Sequence, residues 1–190
     1  MKLYLIRVNG NTAHNNPHDA AHFVDGEPPN YPNTYYNFLS SCFAKNIVRI
    51  GWPNVGDLQS PGVGALPTGY KLNSVKPYVK KYLETFRDIP VGSIVLVPNG
   101  DISGDIYIAE VTEPYHYFHN PPADPYEHSH RLGVRWDRDE NGVPILYHAE
   151  QLGINVRGGL WRRAFGVVTN PLIISKVKDT RKDKPLPEAG

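Results

Sequence analysis

Three aromatic residues follow strand-like runs, at the points where those runs end. Trp52 comes after the run IVRIG, and Tyr115 and Tyr117 come after residues 106–112. Aromatic rings beside polar amides and arginines can stack on a nucleobase while the polar groups hydrogen-bond with its edge. The same residue types also fill the core and rim of an ordinary strand-rich domain. The pattern therefore leaves two interpretations open, a nucleotide pocket and ordinary core packing.

The histidines form two groups whose spacing could suit a metal. The first group recurs every four residues, which would place it on one helix face; it consists of His14, His18 and His22. The second has the spacings H-x-x-H and H-x-H; it consists of His116, His119, His128 and His130. Zinc is commonly bound by imidazole, but prolines interrupt both groups. Exposed or hydrogen-bonded histidines are the default interpretation, and a metal-dependent hydrolase or nuclease component stays open as an alternative.

Covalent catalysis and nucleotide-phosphate binding have little support in the sequence. Cys42 is the one cysteine, and its apolar surroundings LSSCFA favour a buried structural thiol. A nucleophile elbow, a P-loop and a dinucleotide-binding glycine fingerprint do not occur. The carboxylate pairs Asp101/Asp105 and Asp137/Asp139 fall in turn-like segments, where solvated turn residues are the simpler interpretation. We therefore predict a protein that is not itself an enzyme, with no catalytic residue, metal or cofactor.

Composition limits the class of protein. The chain has 190 residues, which suits one domain, and its 40% hydrophobic content excludes wholesale disorder. No apolar run approaches the roughly 20 residues that span a bilayer, and the opening MKLYLIRVNG lacks the features of a secretory signal. With a single cysteine, the sequence predicts a cytoplasmic location. The 17 glycines and 18 prolines indicate that long helices do not dominate.

Charge is distributed unevenly along the chain. Residues 161–190 contain seven basic and three acidic side chains, whereas residues 1–160 contain 13 basic and 16 acidic ones. The net charge of the whole chain is only +1. The protein is therefore no polycation, and any contact with nucleic acid must come from local patches of basic residues.

The elements that must position these residues are short. Alternating apolar residues predict strands at Lys2–Val8, Ile47–Trp52, Ser93–Pro98, Ile106–Thr112, Arg131–Trp136 and Ala164–Val168. Helices are predicted at Tyr35–Ala44 and at Val75–Arg87, the second because its apolar residues recur every three or four positions. We predict one α+β domain or small barrel over residues 1–170, followed by a frayed basic tail or linker over 171–190.

Four segments in this order resemble the PUA-like, EVE-type module, which often occurs at the N-terminus of modification-dependent restriction endonucleases of the Mrr and McrB types. They are IVRIGWPNVGDL at 47–58, VGSIVLVP at 91–98, IYIAEVTEPYHY at 106–117 and HRLGVRW at 130–136. The opening LYLIRVNGN also resembles the first strand of EVE and YTH domains. The resemblance covers roughly residues 3–168. It implies a PUA-like, mixed β-barrel with flanking short helices and a concave pocket.

The same resemblance implies the recognition of a modified nucleobase, such as 5-methylcytosine, in DNA or RNA. Relatives hold a flipped-out or single-stranded base in an aromatic cage, and flipping costs a few kcal/mol. By position, base contacts are expected from Arg7, Val8, Asn9, Asn11, Trp52, Tyr115 and Tyr117. Phosphate contacts are expected from five arginines if they share a face, namely Arg49, Arg131, Arg135, Arg162 and Arg163. Trp136 is expected in the core rather than in the pocket.

The chain also departs from those restriction enzymes. No D-x(n)-E-x-K nuclease signature is evident after Val168, and the loops 10–34 and 59–74 are long. We therefore expect a non-enzymatic reader module of a restriction or defence system, with a nuclease or motor partner domain elsewhere. A scaffold subunit of a larger complex, whose loops would bind protein, is the other alternative.

Overall fold

The computed structural model describes residues 2–8, 35–51, 55–60, 76–99, 104–118, 130–160 and 165–182. These ranges form seven strands and three helices. The strands are β1 (Leu3–Ile6), β2 (Ile47–Ile50), β3 (Ile94–Pro98), β4 (Asp105–Tyr117), β5 (His130–Trp136), β6 (Tyr147–His148) and β7 (Phe165–Val167). The helices are α1 (Tyr35–Lys45), α2 (Pro77–Arg87) and α3 (Pro171–Lys182). None of the described helices is long and apolar enough to cross a membrane.

The strands form one mixed sheet in the order β2-β5-β4-β3-β1-β7, and β6 also pairs with β4. The β1–β3 pair is parallel, and the other pairs are antiparallel. This confirms the predicted α+β class. The predicted barrel closure is wrong for the described residues, because β2 and β7 lie at opposite ends of this order. Helices cover the two faces of the sheet instead, so the sheet buries its apolar side chains without closing on itself.

Helices α1 and α2 cover one face of the sheet, which we call the inner face. Helix α2 buries Val79, Leu83 and Phe86, whose spacing of four and three residues gives it one apolar side. Trp136 is in this core, where its Nε1 donates to the carbonyl of Cys42 at 3.3 Å. Both the core position of Trp136 and the burial of the Cys42 thiol agree with the expectations from sequence.

Helix α3 covers the opposite face, which we call the outer face. Ile173 and Val177 are one turn apart and pack into a second core that includes residues of β1, β3 and β4. Asn170 begins the helix, since its Oδ1 accepts the N–H of Leu172 at 2.9 Å, and Pro171 occupies the first helical position. The predicted frayed tail is therefore wrong for residues 171–182, which form a helix.

Strand β4 is longer than the predicted strand Ile106–Thr112. It continues through Pro114 to Tyr117, with shifts of register between Val111 and Glu113 and between Glu113 and Tyr115. Bulges of this kind accommodate a proline that cannot donate to the ladder. As a result, the aromatic end of β4 lies against the first residues of β5.

Candidate nucleic-acid interface

Three basic side chains lie in one row across the outer face. Arg49 of β2 pairs in register with Arg131 of β5, and Arg131 pairs with His116 of β4. Residues opposite each other in antiparallel strands point to the same face of the sheet, so all three share the outer face. We call these three residues the cationic row. Arg49 and Arg131 are buried, whereas His116 is partly exposed.

An exposed aromatic ring lies beside the cationic row. Phe118 follows β4 directly and is 37% exposed. The guanidinium carbon of Arg131 lies 4.1 Å from the centroid of the Phe118 ring, a distance typical of a stacked cation–π contact. Phe118 and Arg131 therefore form a preassembled pair at the end of the cationic row. Phe118 was not among the site residues expected from the sequence, although its position two residues after His116 places it on the same face.

The inner face at the same strand ends has a different character. The hydroxyl of Tyr115 accepts the N–H of Leu58 at 3.2 Å and lies 2.9 Å from Nδ1 of His130. The rings of Tyr115 and His130 are stacked at 6.0 Å, and Phe86 of α2 meets Tyr115 edge-on. Burial raises the pKa of Tyr115 well above its ordinary value, so the hydroxyl keeps its proton. Tyr115 thus ties β4 and β5 to the segment 55–60.

Tyr115 differs from the cage wall expected from sequence, because its ring is buried in the core and its hydroxyl is hydrogen-bonded. Tyr117 is partly exposed and lies 5.5 Å from the ring of His130. Ile50, His130 and Tyr117 form a row in register on the inner face. The sheet therefore separates Tyr115 and Tyr117 from three of the predicted phosphate-binding arginines, Arg49, Arg131 and Arg135, which lie on the other side.

The predicted phosphate contacts from arginine fall into different environments. Arg49 is 0% exposed, which differs from the surface contact expected for it. Arg131 is 5% exposed, and its guanidinium lies against the ring of Phe118. Arg135 shares the outer face, but its Nη2 donates to Oε2 of Glu110 at 2.9 Å. The structure thus brings Arg49 and Arg131 together and gives Arg135 an acidic partner.

Glu110 belongs to a larger group that joins α3 to the sheet. Arg181 of α3 contacts both carboxylate oxygens of Asp137 at 3.1 Å and Glu110 at 3.4 Å. The hydroxyl of Tyr147 donates to Asp137 at 3.2 Å. We call Glu110, Arg135, Asp137 and Arg181 the charge network. Sequence reasoning missed it because the spacing along the chain gives no sign that Arg181 meets Asp137.

The remaining predicted base contacts lie elsewhere or outside the described residues. Arg7 and Val8 follow β1. The end of β1 lies beside the end of β3, which pairs with the start of β4. Tyr117 is at the opposite end of β4, so these residues lie far from it. The side chain of Val8 is buried. Asn9, Asn11, Trp52, Arg162 and Arg163 lie outside the described residues, so their roles stay predictions.

The histidine alternative can be examined for two of its members. His116 lies on the outer face and His130 on the inner face, so their rings point to opposite sides of the sheet. Among the described ranges, no group of three histidine, cysteine or acidic residues is placed to hold a metal ion. The other five histidines of the two groups, His14, His18, His22, His119 and His128, lie outside those ranges.

Comparison with known proteins gives one finding. Residues 33–153 match a family model described as a domain of unknown function, DUF8426. Neither the comparison with curated proteins nor that with solved structures gives a match. The matched range extends from before α1 to just after β6 and contains the cationic row, Phe118 and the residues around Tyr115. It spans more than half of the 190 residues, and the chain therefore belongs to the DUF8426 family.

Proposed function

We propose that this protein is a non-enzymatic reader that binds DNA or RNA through the outer face at the ends of β4 and β5. The observation that carries this proposal is the cationic row, which places the guanidinium groups of Arg49 and Arg131 and the imidazole of His116 side by side on three adjacent strands. In a chain whose net charge is only +1, such a local concentration provides the electrostatic attraction that nucleic acid needs.

The side chains in this region suit phosphate and base contacts together. Guanidinium groups bind phosphate through several N–H donors in a planar arrangement and also stack on aromatic faces. Arg131 already stacks on Phe118, so positive charge and an aromatic surface occur at one place. Arg135 lies on the same face of β5, but Glu110 balances its charge, so it adds little to this basic surface. Arg49 contributes charge from behind this surface rather than by direct contact.

The modified base is the finer part of the proposal. It is supported by the resemblance to EVE-type modules of segments 47–58, 91–98, 106–117 and 130–136. This resemblance implies that the chain is related in fold to PUA-like domains. We propose that Trp52 completes the base contacts, and that the protein works in the cytoplasm beside a nuclease or motor partner. These assignments rest on sequence alone.

A fluorescence-anisotropy titration tests the proposal. The probes are labelled single- and double-stranded oligonucleotides of DNA and RNA, each with and without 5-methylcytosine, 5-hydroxymethylcytosine or N6-methyladenine, at two salt concentrations. We expect tighter binding to one modified base than to its unmodified match, with that preference little changed by salt. Inorganic polyphosphate serves as a competitor that has phosphate but no bases.

Three results would contradict the proposal in whole or in part. Absence of binding to every oligonucleotide would exclude nucleic acid as the ligand. Displacement by polyphosphate at equal phosphate concentration would show that the outer face binds polyanions and does not read bases. Binding without any preference for a modified base would keep the nucleic-acid part and remove the reader part.

A further inference from the structure

We infer that Phe118 is the residue on which a base of the ligand stacks, and that the ligand is a single strand or an unpaired base rather than an intact duplex. This inference rests on the proposed function, because it assumes that the outer face binds nucleic acid. It adds the residue that makes the aromatic contact and the structural class of nucleic acid.

The geometry of the Arg131–Phe118 pair leaves one side of the ring for a ligand. The guanidinium carbon of Arg131 is 4.1 Å from the ring centroid, so the guanidinium covers one face of the ring. Arg131 is 5% exposed whereas Phe118 is 37% exposed, so the part of the pair that solvent reaches belongs mainly to Phe118. A base can stack on that exposed part of the ring.

The ring is also held in place before any ligand arrives. Arg131 lies in β5, which is bonded to β2 on one side and to β4 on the other. Phe118 follows Tyr117, the last residue of β4, which pairs with His130 next to Arg131. A surface that is ordered in advance loses less conformational entropy when it binds. Phe118 thus differs from the exposed Tyr78 of α2, whose only aromatic neighbour among the described rings is Tyr82.

Stacking on such a ring selects bases that are not already stacked. In a duplex both faces of every internal base are covered by neighbours, so a protein ring reaches a base face only after flipping or at a strand end. Single strands offer base faces freely, and stacking of this kind tolerates different bases.

The experiment compares variants at position 118 by anisotropy titration with a single strand, the matching duplex and a hairpin whose loop is unpaired. Phe118→Leu removes the aromatic face and keeps apolar volume, and Phe118→Trp enlarges the face. We expect Phe118→Leu to weaken single-strand and hairpin binding by roughly 5- to 150-fold, the range for loss of one stacked base. Phe118→Trp is expected to bind as tightly as the natural protein or more tightly. Tyr78→Leu is the matched control and is expected to change nothing.

The outcomes separate this inference from the proposed function. If the natural protein binds duplex as tightly as single strand, or if Phe118→Leu binds single strand as the natural protein does, the inference is overturned and the proposed function stands. If the natural protein binds no oligonucleotide at all, both are overturned. Phe118 is partly exposed, and an unchanged midpoint of urea unfolding in Phe118→Leu confirms that a loss of binding does not reflect a loss of folding.

Discussion

Two arginines of the same strand, Arg131 and Arg135, share the outer face of the sheet but have opposite surroundings. Arg135 lies opposite Glu110 in register, and their side chains form an ion pair at 2.9 Å. Arg131 lies between Arg49 and His116, so its row contains basic residues on both sides. One end of β5 is therefore balanced in charge by an ion pair within the fold, and the other end, which we call the cationic end, brings two arginines and a histidine side by side.

The balanced end explains how α3 is attached. Arg181 contacts Asp137 and Glu110, and Glu110 also accepts from Arg135, so the charges alternate in sign. The side chains of Asp137 and Arg181 are only 10% and 18% exposed. Ion pairs at such positions are screened less by solvent than surface pairs are. The charge network holds α3 over the second core. Its two arginines are matched by two carboxylates, so it leaves no net charge to attract a ligand.

The cationic end instead places two mostly buried arginines directly opposite each other in neighbouring strands. Like charges directly opposite each other in neighbouring strands are destabilising, and buried charges need compensating interactions. Folds keep local violations of this kind chiefly where they serve function. The difference between the two ends is therefore our reason for placing the ligand at Arg131 and Phe118 and the structural role at Arg135.

The largest effect on stability is expected at the balanced end. Asp137→Asn removes the negative charge that Arg181 contacts and weakens the acceptor of the Tyr147 hydroxyl. Because both partners of the ion pair are mostly buried, we expect the free energy of unfolding to fall by about 2–3 kcal/mol. Urea unfolding measures this change.

The control for that variant is Glu140→Gln, which neutralises an exposed carboxylate close by in sequence. It is expected to change the free energy of unfolding by less than about 0.5 kcal/mol. If Asp137→Asn is as stable as Glu140→Gln, the charge network does not hold α3. The balanced end of β5 then does not have the structural role that we assign to it.

A smaller effect is expected beneath the cationic end. Tyr115→Phe keeps the ring but deprives the Leu58 N–H and Nδ1 of His130 of their shared partner. Loss of a buried hydrogen-bond partner costs about 1–3 kcal/mol. We expect that loss in urea unfolding, together with faster amide exchange at Leu58. Normal protection of Leu58 in this variant would show that Tyr115 does not hold the segment 55–60.

Each end of the sheet also contains one buried tyrosine that should make the fold sensitive to alkali. Burial raises the pKa of both Tyr115 and Tyr147, while the same side chains in the unfolded chain ionise near pH 10. Above pH 10 the unfolded state therefore loses protons that the folded state keeps, so stability falls as pH rises. The slope is about 1.4 kcal/mol per pH unit for each tyrosine.

The alkaline prediction is checked by urea unfolding at pH 9 and pH 11. Tyr115→Phe and Tyr147→Phe are each expected to lose about 1 kcal/mol less than the natural protein between these values. An exposed tyrosine variant, Tyr78→Phe, provides the control. Equal losses in all four proteins would show that neither hydroxyl is held protonated by the fold.

Sequence reasoning succeeded where the signal is local. The apolar spacing of Val79, Leu83 and Phe86 predicted α2, and alternation predicted every described strand except β6 to within a few residues, apart from the end of β4. The helix α3 was missed although Asn170 and Pro171 form a recognisable helix start, because the basic composition after Pro171 was interpreted as a tail. Attention to the cap residues would have found it.

The candidate site depended on information that the sequence does not contain. Which face of β4 carries Tyr115 and which carries His116 depends on the bulges near Glu113, since one extra residue reverses the faces. Without that register, Tyr115 and Arg131 could be placed in one pocket. The pairing of Arg131 with Phe118 and of Arg181 with Asp137 joins distant parts of the chain, and only the folded sheet reveals it.

One titration tests the central claim most directly. A labelled single-stranded oligonucleotide is titrated with the natural protein, with Arg131→Gln and with Arg135→Gln, two variants that remove the same charge from the same face of the same strand. The account predicts that Arg131→Gln weakens binding about tenfold, because it loses both charge and the support of Phe118. Arg135→Gln is predicted to bind within about twofold of the natural protein and to lose less than about 1 kcal/mol of stability. Equal binding by the two variants, with both folded as judged by urea unfolding, would contradict the account.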